Sequence, residues 1–231
     1  MKKEKMDIEK ARGIMNISDM LEVSNILMTC NAYWTYRGLP NEPHALLTNG
    51  KHSDSYFNVN EVTKYPNFRE TLAEMIAARL DIVGIKDIDI VISSTYAATS
   101  IGQAVADNLD AIFVFTEKNL KYQLWSGRFE IPSGGARMLQ VEELITTLET
   151  TKKVKAAVLD ANPDIEFVKI NGKIVVATII HRPSQLPIEY DSYIVIPLYE
   201  GEVHNWTPEE CPLCKKGSEV LPPKPNWERF V

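Results

Sequence analysis

Two glutamates stand side by side, Glu142 and Glu143, after the apolar stretch Met138-Leu-Gln-Val141 and before Thr146, Thr147 and Thr150. A strand running into two carboxylates and then into hydroxyl residues at a helix start can hold a phosphorylated sugar. The helix N-terminus offers backbone N–H groups to a phosphate, and the threonine hydroxyls add donors. The carboxylates can accept from ribose hydroxyls or stabilise positive charge developing at a sugar carbon. The same residues also describe an ordinary helix cap. Arg182 closely follows the apolar run 172–180, at the strand end where ligand-binding side chains stand. Cys211 and Cys214 form one Cys-x-x-Cys. A structural zinc needs four ligands, and His204 and Cys30 are candidates for the other two without supporting spacing; zinc and redox roles stand as alternatives to the reading as packing thiols. His52 either faces a site or makes a turn hydrogen bond, and His44 and His204, in proline-containing loops, carry no assigned role. Trp125 is a lid residue or a hydrophobic anchor; Trp206 and Trp227 read as anchors of the C-terminal tail.

Positioning these groups requires a frame. Met20, Leu21, Ser24, Leu27 and Met28 share a helical face, with Ser18 as N-cap. Helical spacing returns over 68–82. Short apolar runs at 89–93, 111–115, 137–141, 172–180 and 192–197 alternate with helix-length segments, which predicts an α/β fold with a parallel sheet. Such sheets bind ligands at the carboxyl ends of their strands, where Glu142, Glu143 and Arg182 stand. Residues 117–131 read as a hairpin or loop around Gly127. The polar segment 1–16 reads as flexible, and the proline-rich segment 202–231 as an irregular tail packed on one domain spanning 1–231.

Composition narrows the classes. The chain has 231 residues, 25 basic against 31 acidic side chains and a net charge of −6. This is ordinary globular composition, long enough for a full core and lacking the basic face of a nucleic-acid binder. Three cysteines do not make a disulfide framework. No run suits a transmembrane helix, and the charged N-terminus lacks the apolar core of a signal peptide. A cytoplasmic protein is expected.

The acidic pair with its threonines resembles the phosphoribosyl-pyrophosphate (PRPP) motif of the type I phosphoribosyltransferases. Within them the chain resembles the orotate phosphoribosyltransferases in their compact bacterial and archaeal form. Leu47-Thr-Asn-Gly-Lys51-His52-Ser53-Asp54-Ser55-Tyr56-Phe57 is similar to that family's Thr-Ser-Gly-Arg-His-Ser-Asp-x-Tyr segment. Phe115-Thr-Glu117-Lys118 is similar to its Phe-Ala-Glu-Arg, Gly127-Arg-Phe129-Glu130-Ile131 to its Gly-Phe-Glu-Ile, Ile180-His181-Arg182 to its Val-Asp-Arg, and Cys211-Pro-Leu-Cys214 to its Cys-Pro-Leu-Cys. The matches occur in family order over roughly residues 46–217.

The resemblance implies a central parallel sheet flanked by helices, with a small hood. It implies transfer of phosphoribosyl from PRPP to orotate, giving orotidine 5′-phosphate and pyrophosphate in pyrimidine nucleotide biosynthesis. It implies a homodimer that takes small molecules only, uses Mg2+ carried by PRPP, and has no protein-held metal. On it, Glu142 and Glu143 hold the ribose, while Thr146, Thr147 and Thr150 cradle the 5′-phosphate. Lys118 and Lys121 neutralise pyrophosphate. Arg182, Lys51, Tyr56 and Phe57 bind the base.

The chain also departs from the pattern. Leu148 and Glu149 replace a Gly-Gly in the phosphate loop, and Ala97-Ala98 stands in the region of another. Gln140 puts an amide in a buried strand, Lys118 replaces Arg, and His181 replaces Asp. A leucine at positive φ costs on the order of 1–2 kcal/mol, and a carboxylate near a phosphate repels it. Two alternatives therefore stand beside the enzyme: a phosphoribosyltransferase fold that only binds a nucleotide or phosphoribosyl ligand, and a transferase for a different base.

Overall fold

The computed structural model describes residues 17–119, 122–131 and 135–231. Helix α1 (Ile17–Thr29) leads into β1 (Tyr33–Thr35), β2 (His44–Leu46), β3 (His52–Ser53) and β4 (Ser55–Phe57), then α2 (Asn60–Thr63) and α3 (Pro66–Ile82). The sheet begins with β5 (Ile90–Ser93), followed by α4 (Ala98–Leu109), β6 (Ile112–Phe115), the hairpin β7 (Glu117–Asn119) and β8 (Tyr122–Leu124), and β9 (Arg137–Ile145). Then come α5 (Glu149–Ala161), β10 (Glu166–Phe167), β11 (Lys169–Ile170), β12 (Lys173–His181) and β13 (Tyr193–Glu200). The tail supplies β14 (Asn205–Trp206), α6 (Pro212–Lys215), β15 (Val220–Leu221) and a 3-10 turn, Lys224–Arg229.

All five apolar runs form strands of one sheet. They are parallel, in the order β6-β5-β9-β12-β13; β10 lies parallel to β9, and β11 antiparallel to β12. Parallel strands are covered on both faces, hence their nearly continuous apolar sequences. Val91, Leu139, Val141, Val175 and Ala177 pack with Leu72, Ile76 and Leu80 of α3 and Ile101 and Val105 of α4. Ile90, Ile92, Met138 and Val176 pack on the other face with Val154 and Val158 of α5.

This alternation slips at the acidic pair. Along β9, Leu139 and Val141 belong to the first cluster and Met138 to the second. Beyond the glutamates, Leu144 packs against the first and Ile145 joins the second. Neighbouring β12 changes sense at the same level, with Ala177, Ile179 and Ile180 all in the first cluster. A strand period of two would place Leu144 and Ile145 on the opposite faces.

Above the sheet's carboxyl edge sits a hood, a four-stranded sheet in the order β14-β3-β2-β15 beside the β1–β4 ribbon. Its small core is Trp34, Ala45 and Phe230, with Tyr56, Leu221 and Trp227 against them. Phe230 meets Trp34 edge to face, with centroids 4.8 Å apart, and Trp227 Nε1 donates to the Asn31 carbonyl at 2.9 Å. The proline-rich tail thus supplies strands and aromatic anchors to the hood. Phe230→Ala should lower stability by about 3–5 kcal/mol, the usual effect of emptying a buried aromatic position. Urea unfolding of the full chain measures it, and a loss below about 1 kcal/mol would place Phe230 outside the cooperative unit.

Candidate functional site

The carboxyl ends of β5, β9 and β12 converge under the hood. They deliver Ser94–Ala97, the glutamate pair and Arg182 to one edge, as parallel α/β topology requires. A cleft of about 700 Å³ opens there. Its walls are Thr95, Tyr96 and Ala97 after β5, Glu142 and Glu143 of β9, Glu149, Thr150 and Lys153 of α5, Lys118 and Gln123 of the β7–β8 hairpin, Thr48 and Asn49 of the hood, and Lys224 of the tail. A smaller recess of about 110 Å³ shares Asn60, Ala97, Glu143, Leu144 and Lys224 with it and is closed by Tyr56, Phe57 and Arg182.

The two glutamates occupy different environments. Glu142 is buried, receiving Ser94 Oγ at 2.5 Å and Gln140 Nε2 at 2.7 Å. Burial, reinforced by Glu143, pushes its pKa up to about 8, against the pull of those hydrogen bonds. Gln140, the amide that looks out of place in a buried strand, therefore has a job: it anchors Glu142. Glu143 borders both cavities. Its pKa is also raised by burial, with its own and Leu144's backbone N–H groups and the Lys224 charge opposing.

Arg182 is 7% exposed, and its guanidinium lies 5.9 Å from the ring centroids of both Tyr56 and Phe57. Its Nε and Nη1 are buried without a hydrogen-bond partner among the described residues. Buried cations are ordinarily paired, so a guanidinium with two unpartnered nitrogens at the edge of a recess suits an anion. Burial lowers the Arg182 pKa, with Tyr56 and Tyr33 opposing.

Both loop departures resolve structurally. Leu148, between β9 and α5, has φ +59° and ψ +8°, the left-handed conformation a glycine would supply. Its side chain is 2% exposed and packs in the α5-side core, and emptying a buried leucine position costs about 2–5 kcal/mol, more than the strain of about 1–2 kcal/mol. Glu149 remains on the cleft wall, paired with Lys153 Nζ at 2.6 Å. That hydrogen bond and charge hold its pKa below the usual range. In the β5–α4 loop Ala97 has φ −68° and Ala98 opens the helix, so neither position needs glycine. The buried Thr95 Oγ1 has no partner among the described residues.

No family model matches the chain. The orotate phosphoribosyltransferase of Caldicellulosiruptor bescii is 33% identical over 187 residues, covering 79% of this chain and 88% of that protein. That of a Thermoanaerobacter species is 30% identical over 196 residues, covering 84% and 93%. The chain belongs to the orotate phosphoribosyltransferase family. The solved orotate phosphoribosyltransferase from Aeropyrum pernix shares the fold, with a TM-score of 0.57 at 14% identity, over 77% of this chain and 93% of that one.

Against the family pattern, the structure brings together Glu142, Glu143, Thr150 and Lys118 on the cleft and Arg182, Tyr56 and Phe57 on the recess. Thr146 and Thr147 lie on the β9–α5 loop beside Thr150 without forming its wall. Lys51 is an exposed residue of the hood turn whose neighbours Thr48 and Asn49 reach the cleft instead. Lys121 lies outside the described residues. His52 turns away from the cleft into the hood. Trp125 packs against the α5-side core and Phe129, as an anchor does. His181 is buried between Glu200 and Tyr190, a packing role. Lys224 is the residue the sequence reading missed; a lysine between prolines in a tail has no local signal of function.

Two outcomes follow. Leu148→Gly should destabilise the protein by about 1–3 kcal/mol, because the lost packing outweighs the relieved strain; thermal unfolding reports it, and a gain in stability would mean strain dominates. For Glu142, the folded chain keeps a proton that the unfolded chain loses near pH 4.5, so stability falls as pH rises from there through about 8. The neutral isostere Glu142→Gln should match the parent in melting temperature near pH 4.5 and exceed it at about pH 9. Equal melting temperatures at both would place the Glu142 pKa near its ordinary value.

Proposed function

We propose that this protein transfers the phosphoribosyl group of PRPP to orotate, yielding orotidine 5′-phosphate and pyrophosphate in pyrimidine nucleotide biosynthesis. The observation that carries the reading is the Arg182 recess. A buried guanidinium with unpartnered nitrogens, close to two aromatic rings, suits a flat ring bearing a carboxylate, and the recess opens beside the acidic pair. Membership of the family supports it.

In this reading the C1–O bond to pyrophosphate breaks and a C1–N bond to the base forms, through a cationic ribosyl centre. Glu143 accepts from the ribose hydroxyls. The α5 N-terminus with Thr146, Thr147 and Thr150 takes the 5′-phosphate. The β5–α4 loop and Lys118, with Lys121, gather the departing pyrophosphate charge, so the work is positioning and electrostatics. Lys224 faces Glu143 across the junction of the two cavities and balances charge there. Magnesium would arrive on PRPP; the cleft offers it oxygen donors from Glu143, Glu149, Asn49 and Asn60, the ligand type it takes beside water and substrate phosphates. Bound there, it would neutralise the leaving pyrophosphate.

On the same reading the protein is a cytoplasmic homodimer, a proposal that rests on the family. None of its three cysteines is in a disulfide, and no helix among the described residues is long and apolar enough to cross a membrane.

Orotate consumption, followed by its absorbance with magnesium and PRPP, tests the activity; Glu143→Gln should abolish most of it. Arg182→Ala should lower kcat/KM for orotate about 10- to 100-fold, the value of a charged hydrogen bond. It should also erase discrimination against uracil, which lacks the carboxylate. Arg182→Lys should not restore the parent value, because a point charge does not replace the fork. Absence of turnover at high enzyme concentration would overturn the assignment.

A further inference from the structure

Four side chains from three separate segments meet inside the hood. His44 lies on β2, His52 on β3, and Cys211 and Cys214 at the start of α6. The first three are buried and Cys214 is half-buried. Their ligand atoms all lie within 4.8 Å of one another. His44 Nε2 is 3.1 Å from His52 Nδ1, 3.5 Å from Cys211 Sγ and 3.4 Å from Cys214 Sγ, and Cys214 Sγ is 3.3 Å from His52 Nδ1.

These are the edges of a small tetrahedron. With bonds of about 2.3 Å to sulfur and about 2.05 Å to nitrogen, tetrahedral zinc sets edges near 3.3 Å between nitrogens and about 3.6 Å between nitrogen and sulfur. Hydrogen bonding alone accounts for the cluster less well. Ser218 Oγ donates to the Glu42 carbonyl at 2.8 Å, so at 3.0 Å it must accept from His44 Nδ1–H. A neutral His44 then turns one bare Nε2 lone pair toward three donor candidates, of which it can accept well from only one. A metal ion uses all four ligands at once, and the Ser218 contact is the outer hydrogen bond that holds a ligating imidazole in its tautomer.

We infer that His44, His52, Cys211 and Cys214 hold a structural zinc ion that pins the C-terminal tail to the hood. The four ligands close the coordination shell, so the ion is structural rather than catalytic. This revises the sequence expectation of no protein-held metal and two packing thiols. The partners then considered lie elsewhere: His204 pairs with Asp54 and stacks on Trp206, and Cys30 packs against the core beneath α1.

The test uses the full chain without a histidine tag, purified without chelator. Elemental analysis should find one zinc per chain, whether or not the protein turns over orotate. After chelation under reducing conditions, cobalt(II) should restore visible bands of a tetrahedral site together with a thiolate-to-cobalt charge-transfer band. Cys214→Ser should lose that band, while Cys30→Ser should retain both the band and the stoichiometry. If Cys214→Ser fails to fold, protection of Cys211 and Cys214 from alkylation in the parent, lost on chelation, provides the same reading. A parent chain with well below one zinc, whose cobalt spectrum lacks the charge-transfer band, would overturn the proposal.

Discussion

Two adjacent carboxyl groups leave the carboxyl end of β9, and the sheet lets only one of them line both cavities while the other turns inward. Successive residues of a strand point to opposite faces, so Glu142 is driven into the protein as Glu143 meets the recess. Everything near the site accommodates that division. Ser94 closes one oxygen of Glu142 and Gln140 the other, which satisfies the buried group and partly offsets the burial that raises its pKa. Gln140 could not be replaced by an apolar strand residue without leaving the carboxyl half satisfied. The slip in alternation at this level, shared by β9 and β12, lets both strands return to apolar packing at once beyond the acids.

The β9–α5 loop shows a second trade between local and tertiary energetics. Glycine reaches positive φ without cost but brings no side chain. Leucine meets the strain and returns packing on the α5 face, so the backbone path survives the substitution. The penalty read from sequence was real in kind, since Leu148 is left-handed, but its offset lay in a tertiary contact that no local pattern reveals. Glu149 is similar. Its repulsion of a phosphate is moderated by Lys153 one helical turn on, a neighbour visible in the sequence once α5 is placed.

The parallel sheet was legible because each strand is a buried apolar run bounded by helix-length segments, and the site's edge followed from topology. That Arg182, Tyr56 and Phe57 share one recess was legible through the family's motif order. The cleft position of Thr48 and Asn49, rather than their neighbour Lys51, was not legible because the fold of the β2–β3 hairpin decides which turn residues face inward. The histidine–cysteine cluster was illegible for a simpler reason. His44 and Cys211 are 167 positions apart, and only the pairing of β2 with both β3 and the tail strand β15 brings them together.

That pairing ties the hood to the chemistry. Val220 lies opposite His44 and Leu221 opposite Ala45, so the backbone ladder fixes the tail's register three residues before Lys224. Trp227 and Phe230 fix it again just beyond. Lys224 is thereby held between two anchored points, where its charge opposes the burial that raises the Glu143 pKa. Lys224 is exposed, so solvent screens part of its charge, but a lysine on a loose tail would also spend little time near one carboxylate. Held at the junction of cleft and recess, it couples the tail to the charge state of Glu143. The hood is then part of the electrostatics of the site as well as its cover.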